Sequence, residues 1–113
     1  MKCFLLSRDL MFSSQATGAA NAAGFETSTV PSIDGIALEE PHVVILDLTS
    51  PGLDVASTVA SLKQTQAIVV AVGPHVHEAK LSAAQEAGCD AVLTKGQASR
   101  ELGAVLAKLT SDK

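Results

Sequence analysis

The acidic residue Asp47 is the best candidate for chemistry in this chain. It ends an unbroken apolar run, residues 43–46, and a loop-like segment, residues 49–52, comes soon after it. This pattern predicts a buried parallel strand that delivers one carboxylate to the carboxyl edge of a sheet, where ligands bind in open α/β folds. A carboxylate can act as the nucleophile in phosphoryl transfer when nearby cations neutralise the charge on the transferring oxygens. What Asp47 can do therefore depends on the residues beside it.

Several other polar residues are predicted to reach the same edge. Lys95 follows the last short apolar strand, the sequence Ser-Arg-Asp at residues 7–9 follows the first, and Thr49 lies just after Asp47. The long side chain of Lys95 can reach Asp47 from a neighbouring part of the edge. The two residues would form an ion pair even without any chemistry.

Two weaker motifs point to other kinds of site. His75 and His77 follow the fourth predicted strand, but no third metal ligand is visible nearby, so polar residues at a helix start are the better interpretation. Residues 13–18 (Ser-Ser-Gln-Ala-Thr-Gly) are similar to the phosphate-binding loop of flavodoxins, but they fall inside a helical pattern. A flavodoxin-like domain that binds a small ligand therefore remains an alternative. No Walker loop, dinucleotide fingerprint or nucleophile elbow is found in the sequence.

The elements that must position these residues alternate between strand and helix. Strands are predicted at residues 2–7, 25–30, 42–48, 67–72 and 91–94. Helices are predicted at residues 9–23, 54–64, 76–87 and 99–109, with a short and interrupted one at 32–40. The central strands are continuous apolar runs, as a sheet covered on both faces requires. The pattern predicts a doubly wound α/β sandwich with right-handed crossovers.

Composition limits the class of protein further. The chain has 113 residues, enough for one domain, and a formal net charge of −4, which disfavours direct binding to nucleic acid. No apolar stretch approaches the ~20 residues that a transmembrane helix needs, so we expect no membrane contact. Cys3 and Cys89 lack metal-ligand spacing and are expected to be free thiols. Together these features predict a cytoplasmic protein.

At three segments the sequence resembles the receiver domain of bacterial response regulators, the CheY-like family. They are VILDL at residues 44–48, PGLD at 51–54 and AQEAGCDAVLTK at 84–95, and the resemblance extends over the whole chain. It implies a flavodoxin-like three-layer sandwich with a five-stranded parallel sheet in the order 2-1-3-4-5. It also implies a single receiver-like domain, residues 1–113, without an output domain and without enzymatic activity. In this family the residue matching Asp47 accepts a phosphoryl group and the lysine matching Lys95 pairs with that group.

The first departure from the family pattern concerns magnesium. The acidic pair that binds the ion at the end of the first strand reads Ser7-Arg8 here, and Asp9 follows one position later. Asp9 and Asp47 are the remaining candidate ligands, so we expect either no cofactor or weakly bound Mg²⁺. Arg8 offers an alternative, in which its guanidinium lies beside Asp47 and replaces the ion.

Two further departures lie at the ends of the fourth and fifth strands. The hydroxyl residue of the family's conformational switch is matched by Val72 or Gly73, neither of which can hydrogen-bond a phosphoryl oxygen. The proline that commonly follows the lysine is replaced by Gly96, which leaves the chain freer at this point. All three departures indicate an atypical receiver, or pseudo-receiver.

The sequence therefore supports an atypical receiver-like signalling domain that acts through protein–protein interaction, without normal magnesium-dependent phosphorylation. The alternative within the family is a stand-alone response regulator phosphorylated on Asp47 by a histidine kinase. The expected partner is a histidine kinase or a downstream signalling protein. A homodimer through the fourth and fifth predicted helices and the fifth strand is a further expectation.

Overall fold

The computed structural model describes residues 2–30, 42–50, 52–65 and 67–110. Five strands and four helices lie along these ranges, and strand and helix alternate from β3 onward. The strands are β1 (Lys2–Leu6), β2 (Glu26–Thr29), β3 (His42–Asp47), β4 (Ala67–Gly73) and β5 (Ala91–Thr94). The helices are α1 (Leu10–Ala22), α2 (Val55–Lys63), α3 (Glu78–Ala87) and α4 (Lys95–Thr110). The short helix predicted at residues 32–40 lies outside the described residues.

The strands form one parallel sheet in the order β2-β1-β3-β4-β5, which confirms the predicted topology. Every residue of β3 and β4 is buried, because these strands lie in the middle of the sheet with helices on both faces. The sheet register places Asp47 opposite Val72 and Gly73 opposite Thr94. Polar residues that follow β1, β3 and β5 therefore meet at one edge.

Of the described helices, two pack on each face of the sheet. On one face α1 and α4 pack through Phe12, Ala16, Leu102 and Leu106, and the close approach of Gly103 to the carbonyl of Ala19 brings these helices together. On the other face α2 and α3 supply buried side chains that pack against β3 and β4. The layers are helix, sheet and helix, as the three-layer sandwich predicted.

Helix α4 begins four residues earlier than the sequence analysis predicts. Thr94 and Gln97 form a reciprocal capping box, in which Gln97 N–H donates to Thr94 Oγ1 (3.1 Å) and Thr94 N–H donates to Gln97 Oε1 (2.9 Å). The bonds satisfy backbone groups at the helix start, so α4 follows β5 directly and Gly96 lies within it. As a result, Lys95 is the first residue of a helix and is held in a defined place.

Both cysteines are free thiols, as predicted. Cys3 is completely buried in β1, and burial raises its thiol pKa to about 12. Cys89 is half-buried after α3, and burial raises its pKa to about 11. Within the described ranges, no helix is long and apolar enough to cross a bilayer.

Candidate functional site

Asp47 reaches the carboxyl edge because it is the last residue of the most deeply buried strand. The backbone N–H of Leu48 continues the ladder with a 2.8 Å bond to the carbonyl of Val72, and the chain then turns with Ser50 N–H bonded to the carbonyl of Asp47 (3.0 Å). The Asp47 side chain is only 1% exposed. The carboxylate therefore lies beneath the surface of the edge and is not presented to solvent.

Both oxygens of the Asp47 carboxylate accept hydrogen bonds from the protein. Oδ1 accepts from the Thr49 hydroxyl (2.7 Å) and the Thr49 backbone N–H (3.0 Å), and Oδ2 accepts from the Ser7 hydroxyl at 2.6 Å. A buried carboxylate is costly unless it is paired and hydrogen-bonded, and these three donors meet that requirement. Ser7 and Thr49, both predicted at this edge, are thus the direct partners of Asp47.

Lys95 lies between two carboxylates. Its Nζ is 2.9 Å from Oδ2 of Asp9 and 3.8 Å from Oδ2 of Asp47, and it sits 5.1 Å from the centre of the Phe12 ring. The predicted pairing of Lys95 with Asp47 is present as a longer contact. Its shorter bond goes to Asp9, a pairing that the sequence does not predict.

Asp9 is engaged through both oxygens. It is the N-cap of α1, and its Oδ1 accepts from the N–H groups of Met11 (3.0 Å) and Phe12 (3.1 Å). Its Oδ2 accepts from Lys95. The hydrogen bond from Lys95, with that from the Phe12 N–H second, holds the pKa of Asp9 below its ordinary value of 3.8. The aspartate N-cap before an Ala-rich helix is the sequence signal for this role.

The alternative that placed Arg8 beside Asp47 is wrong. Arg8 is exposed, and the described carboxylates include none within ion-pair distance of it. Its neighbour Ser7 makes the contact with Asp47 instead, through the 2.6 Å hydrogen bond from its hydroxyl. The internal cation at this edge is Lys95.

The end of β4 leaves little room for a switch hydroxyl. Val72 is completely buried in the core. At Gly73 an added Cβ would lie 3.2 Å from both Cβ and Cδ1 of Leu48 and 3.5 Å from Leu81. The side chain of Leu48 therefore occupies the space that a larger residue at 73 would need.

The residues present do not fit the magnesium ion that the receiver resemblance implies. Mg²⁺ requires near-octahedral oxygen ligands and usually binds one or two carboxylates that are free to face it. Here Asp9 and Asp47 both direct Oδ2 toward Lys95, and their other oxygens are bound to N–H and hydroxyl donors. The described residues contain no group of three or more His, Cys, Asp or Glu side chains that could hold a metal.

The weaker motifs supply none of the hydrogen bonds or ion pairs that hold Asp47, Asp9 and Lys95. His75 and His77 are exposed in the connection between β4 and α3, and His77 is the N-cap residue of α3 without a side-chain capping bond. Residues 13–18 are entirely within α1, so the loop expected of a flavodoxin phosphate site is not formed there.

Comparison with solved structures identifies the fold. The beryllofluoride-activated receiver domain of DrrB matches with a TM-score of 0.80 at 20% identity, covering 97% of each chain. A response-regulator receiver domain from Bermanella marisrubri matches with a TM-score of 0.79 at 24% identity, covering 96% of each chain. An atypical orphan response regulator matches with a TM-score of 0.73 at 18% identity, covering 96% of this chain and 93% of the other.

These likenesses show that the chain has the receiver-domain fold of response regulators, which confirms the predicted resemblance at the level of the fold. Full-length FixJ from B. japonicum matches with a TM-score of 0.81 at 16% identity, and that match covers 98% of this chain but 58% of FixJ. No protein-family model and no curated protein matches the sequence.

Proposed function

We propose that this chain is an atypical receiver-like signalling domain that acts through protein–protein contact, without magnesium-dependent phosphorylation of Asp47. The observation that carries the proposal is the state of the Asp47 carboxylate. It is buried, and each of its oxygens accepts a short hydrogen bond from a side-chain hydroxyl. These features distinguish it from a carboxylate prepared to attack an external phosphodonor.

The chemistry of phosphoryl transfer explains why this matters. The attacking oxygen must approach phosphorus in line with the leaving group, and cations must neutralise the charge on the equatorial oxygens. At Asp47 the attacking oxygen would have to give up a bond from Thr49 or Ser7. The nearby cation, Lys95, is already held by Asp9 at 2.9 Å. In-line attack and charge neutralisation at Asp47 therefore both require existing contacts to break first.

A structural neighbour offers a precedent for the proposed mode of action. The atypical orphan response regulator with the same fold is described as having a phosphorylation-independent regulatory mechanism. The likeness in sequence is low, so it supports the proposal only as an example of what this fold can do. The partner of the present chain is proposed to be a protein, either a histidine kinase or a downstream signalling protein.

The second candidate is a stand-alone response regulator phosphorylated on Asp47. The 3.8 Å contact between Lys95 and Asp47 favours it, because a lysine in this place can pair with a phosphoryl group. This alternative requires the Ser7 and Thr49 bonds to open and a divalent cation to enter. It differs from the first proposal in one measurable product, a phosphoryl-aspartate.

Intact-mass measurement after incubation with acetyl phosphate and MgCl₂ separates the two candidates. Asp47→Asn is the matched control, since it keeps the size of the side chain. We expect wild type and Asp47→Asn to keep their unmodified masses. A phosphoryl adduct on wild type alone would replace the proposal with the second candidate. Native mass spectrometry of the same purified protein tests the small-ligand alternative, which requires a co-purified chromophore or nucleotide.

The homodimer through α3, β5 and α4 stays a prediction. Light scattering coupled to size exclusion, over a range of protein concentrations, measures it directly. A concentration-dependent rise in mass that is lost when the exposed α4 residue Arg100 is changed to Glu would support it, whereas a constant monomer mass would contradict it.

A further inference from the structure

The ammonium group of Lys95 occupies a position that is unusual for a lysine. It belongs to the first residue of α4, where the helix dipole disfavours positive charge. The capping box of Thr94 and Gln97 nevertheless fixes the helix start at this residue. Two carboxylates, those of Asp9 and Asp47, offset the unfavourable dipole. The arrangement therefore brings a cation into the edge from within the chain.

We propose that Lys95 is the resident cation of this edge, in place of a divalent ion. Its contacts with Asp9 and Asp47, which we call the clasp, hold the start of α1 against the end of β3. The inference rests on the proposed function, because an edge that Lys95 holds permanently in one conformation suits only a signalling domain that does not use phosphoryl transfer. Lys95 is the group that holds the edge in that conformation. Divalent cations then have no place to bind and no conformational effect.

The contacts around the clasp explain why a metal ion does not displace it. While Lys95 holds Oδ2 of Asp9, a metal could take only Oδ1, and this would break the bonds of Oδ1 to the N–H groups of Met11 and Phe12 and uncap α1. The Phe12 ring beneath the ammonium adds a cation–π contact at 5.1 Å. Displacing the Lys95 ammonium would also leave its positive charge at the start of α4 without the two carboxylates that offset the helix dipole.

Removing the ammonium should reverse this preference. In Lys95→Met the Asp9 and Asp47 carboxylates lose the charge between them, and like charges at short range destabilise each other. A divalent cation can relieve that repulsion. The clasp proposal therefore expects the wild-type domain to be indifferent to Mg²⁺ and Lys95→Met to respond to it.

Urea unfolding with and without millimolar MgCl₂ measures both effects. The control is Lys2→Met, which removes an exposed lysine at the other end of β1. We expect wild type to have the same midpoint in both buffers, and the midpoint of Lys2→Met to be equally insensitive to Mg²⁺. Lys95→Met should have a lower midpoint without Mg²⁺ and recover with it, and the recovery should saturate with Mg²⁺ concentration, a dependence that wild type lacks. An equal Mg²⁺ shift in wild type and Lys95→Met, or no effect of the substitution, would overturn the proposal.

A direct binding measurement keeps the test decisive if Lys95→Met does not fold. Mn²⁺ broadens the amide NMR signals of residues beside it, so wild type alone can be titrated. Unbroadened signals from Thr49 and Asp9 support the clasp, and selective broadening there overturns it. Metal binding without a phosphoryl adduct would defeat this inference but leave the proposed function standing. A phosphoryl adduct on Asp47 of wild type, with the Thr49 and Asp9 signals unbroadened by Mn²⁺, would defeat the proposed function and leave Lys95 as the resident cation.

Discussion

The hydroxyl of Ser7 donates a 2.6 Å hydrogen bond to Oδ2 of Asp47, and this bond joins the ends of β1 and β3. The resemblance to receiver domains places an acidic, metal-binding residue at position 7. A neutral donor there changes the role of the edge, because it stabilises the Asp47 carboxylate through a hydrogen bond and provides no charge for a metal.

Replacement of Ser7 tests how much this bond contributes. Ser7→Ala should lower the free energy of unfolding by about 1.5–3 kcal/mol, the range for hydrogen bonds to charged groups. Ser14→Ala, an exposed position in α1, is the control and should have little effect or a slightly favourable one. Urea denaturation measures both. Equal stabilities for the two variants would mean that the Ser7 bond contributes nothing to the fold.

Because Leu48 fills the space beside Gly73, a change of glycine to alanine is expected to have opposite effects on stability at Gly73 and at Gly18. Gly73→Ala should destabilise, because the new Cβ lies 3.2 Å from two Leu48 atoms and overpacking costs about 1–3 kcal/mol. Gly18→Ala in α1 meets nothing within 4 Å and should stabilise by about 1 kcal/mol.

Thermal or urea unfolding of the two glycine variants measures the difference. Leu48→Ala removes the Cδ1 contact and leaves the Cβ contact, so the double variant with Gly73→Ala should show a favourable coupling energy. If Gly73→Ala stabilises the protein as Gly18→Ala does, the space at residue 73, which matches the family's switch residue, has room for a side chain.

The pH dependence of stability reports on the Asp9–Lys95 pair. Because the folded pKa of Asp9 lies below 3.8, its contribution to stability is present above that value and is lost as pH falls through the lower folded pKa. Carboxyl-detected NMR should find Asp9 titrating below 3.8 in wild type and closer to 3.8 in Lys95→Met. An unchanged Asp9 titration in Lys95→Met would show that Lys95 is not the main cause.

The two thiols should be slow to react in the folded protein. Burial raises the pKa of Cys89 to about 11 and that of Cys3 to about 12, so the thiolate population at neutral pH is small. Alkylation by iodoacetamide at neutral pH, followed by intact mass, should proceed much faster after addition of denaturant. Cys89 should react before Cys3, since it alone is partly exposed. Rapid labelling of Cys3 in native buffer would contradict its burial in β1.

Much of the fold follows from patterns that physical chemistry makes unambiguous. Continuous apolar runs identify β3 and β4, because strands covered on both faces need no polar alternation. Glycines after helices mark their ends, as at Gly88, whose φ of 102° is a left-handed conformation that suits glycine. The sequence also predicts that Asp47, Thr49 and Lys95 share one edge, because the carboxyl ends of parallel strands meet there.

The detail of the site was harder to predict because it depends on single-residue geometry. The sequence offers Arg8 as a cation for Asp47, yet Arg8 is exposed and Lys95 lies at that carboxylate. Gly96 suggested a loop, which obscured the capping box that spans Thr94 to Gln97 and fixes Lys95 in helix α4. The Lys95–Asp9 contact joins residues far apart in sequence, so no local pattern could specify it.

The most direct test of the account is the response of the backbone NMR spectrum to Mg²⁺ together with beryllofluoride, which mimics a phosphoryl group without hydrolysing. It avoids the short lifetime that can hide an aspartyl phosphate. If the Asp47 carboxylate is closed and Lys95 is the resident cation, addition of Mg²⁺ and beryllofluoride will leave the wild-type amide signals of Thr49, Gly73 and Lys95 where they are. Asp47→Asn, whose starting spectrum differs because Thr49 loses its carboxylate partner, will show the same lack of response. Saturable shifts of these signals in wild type, absent from Asp47→Asn, would contradict the account and show a site able to bind both magnesium and phosphoryl.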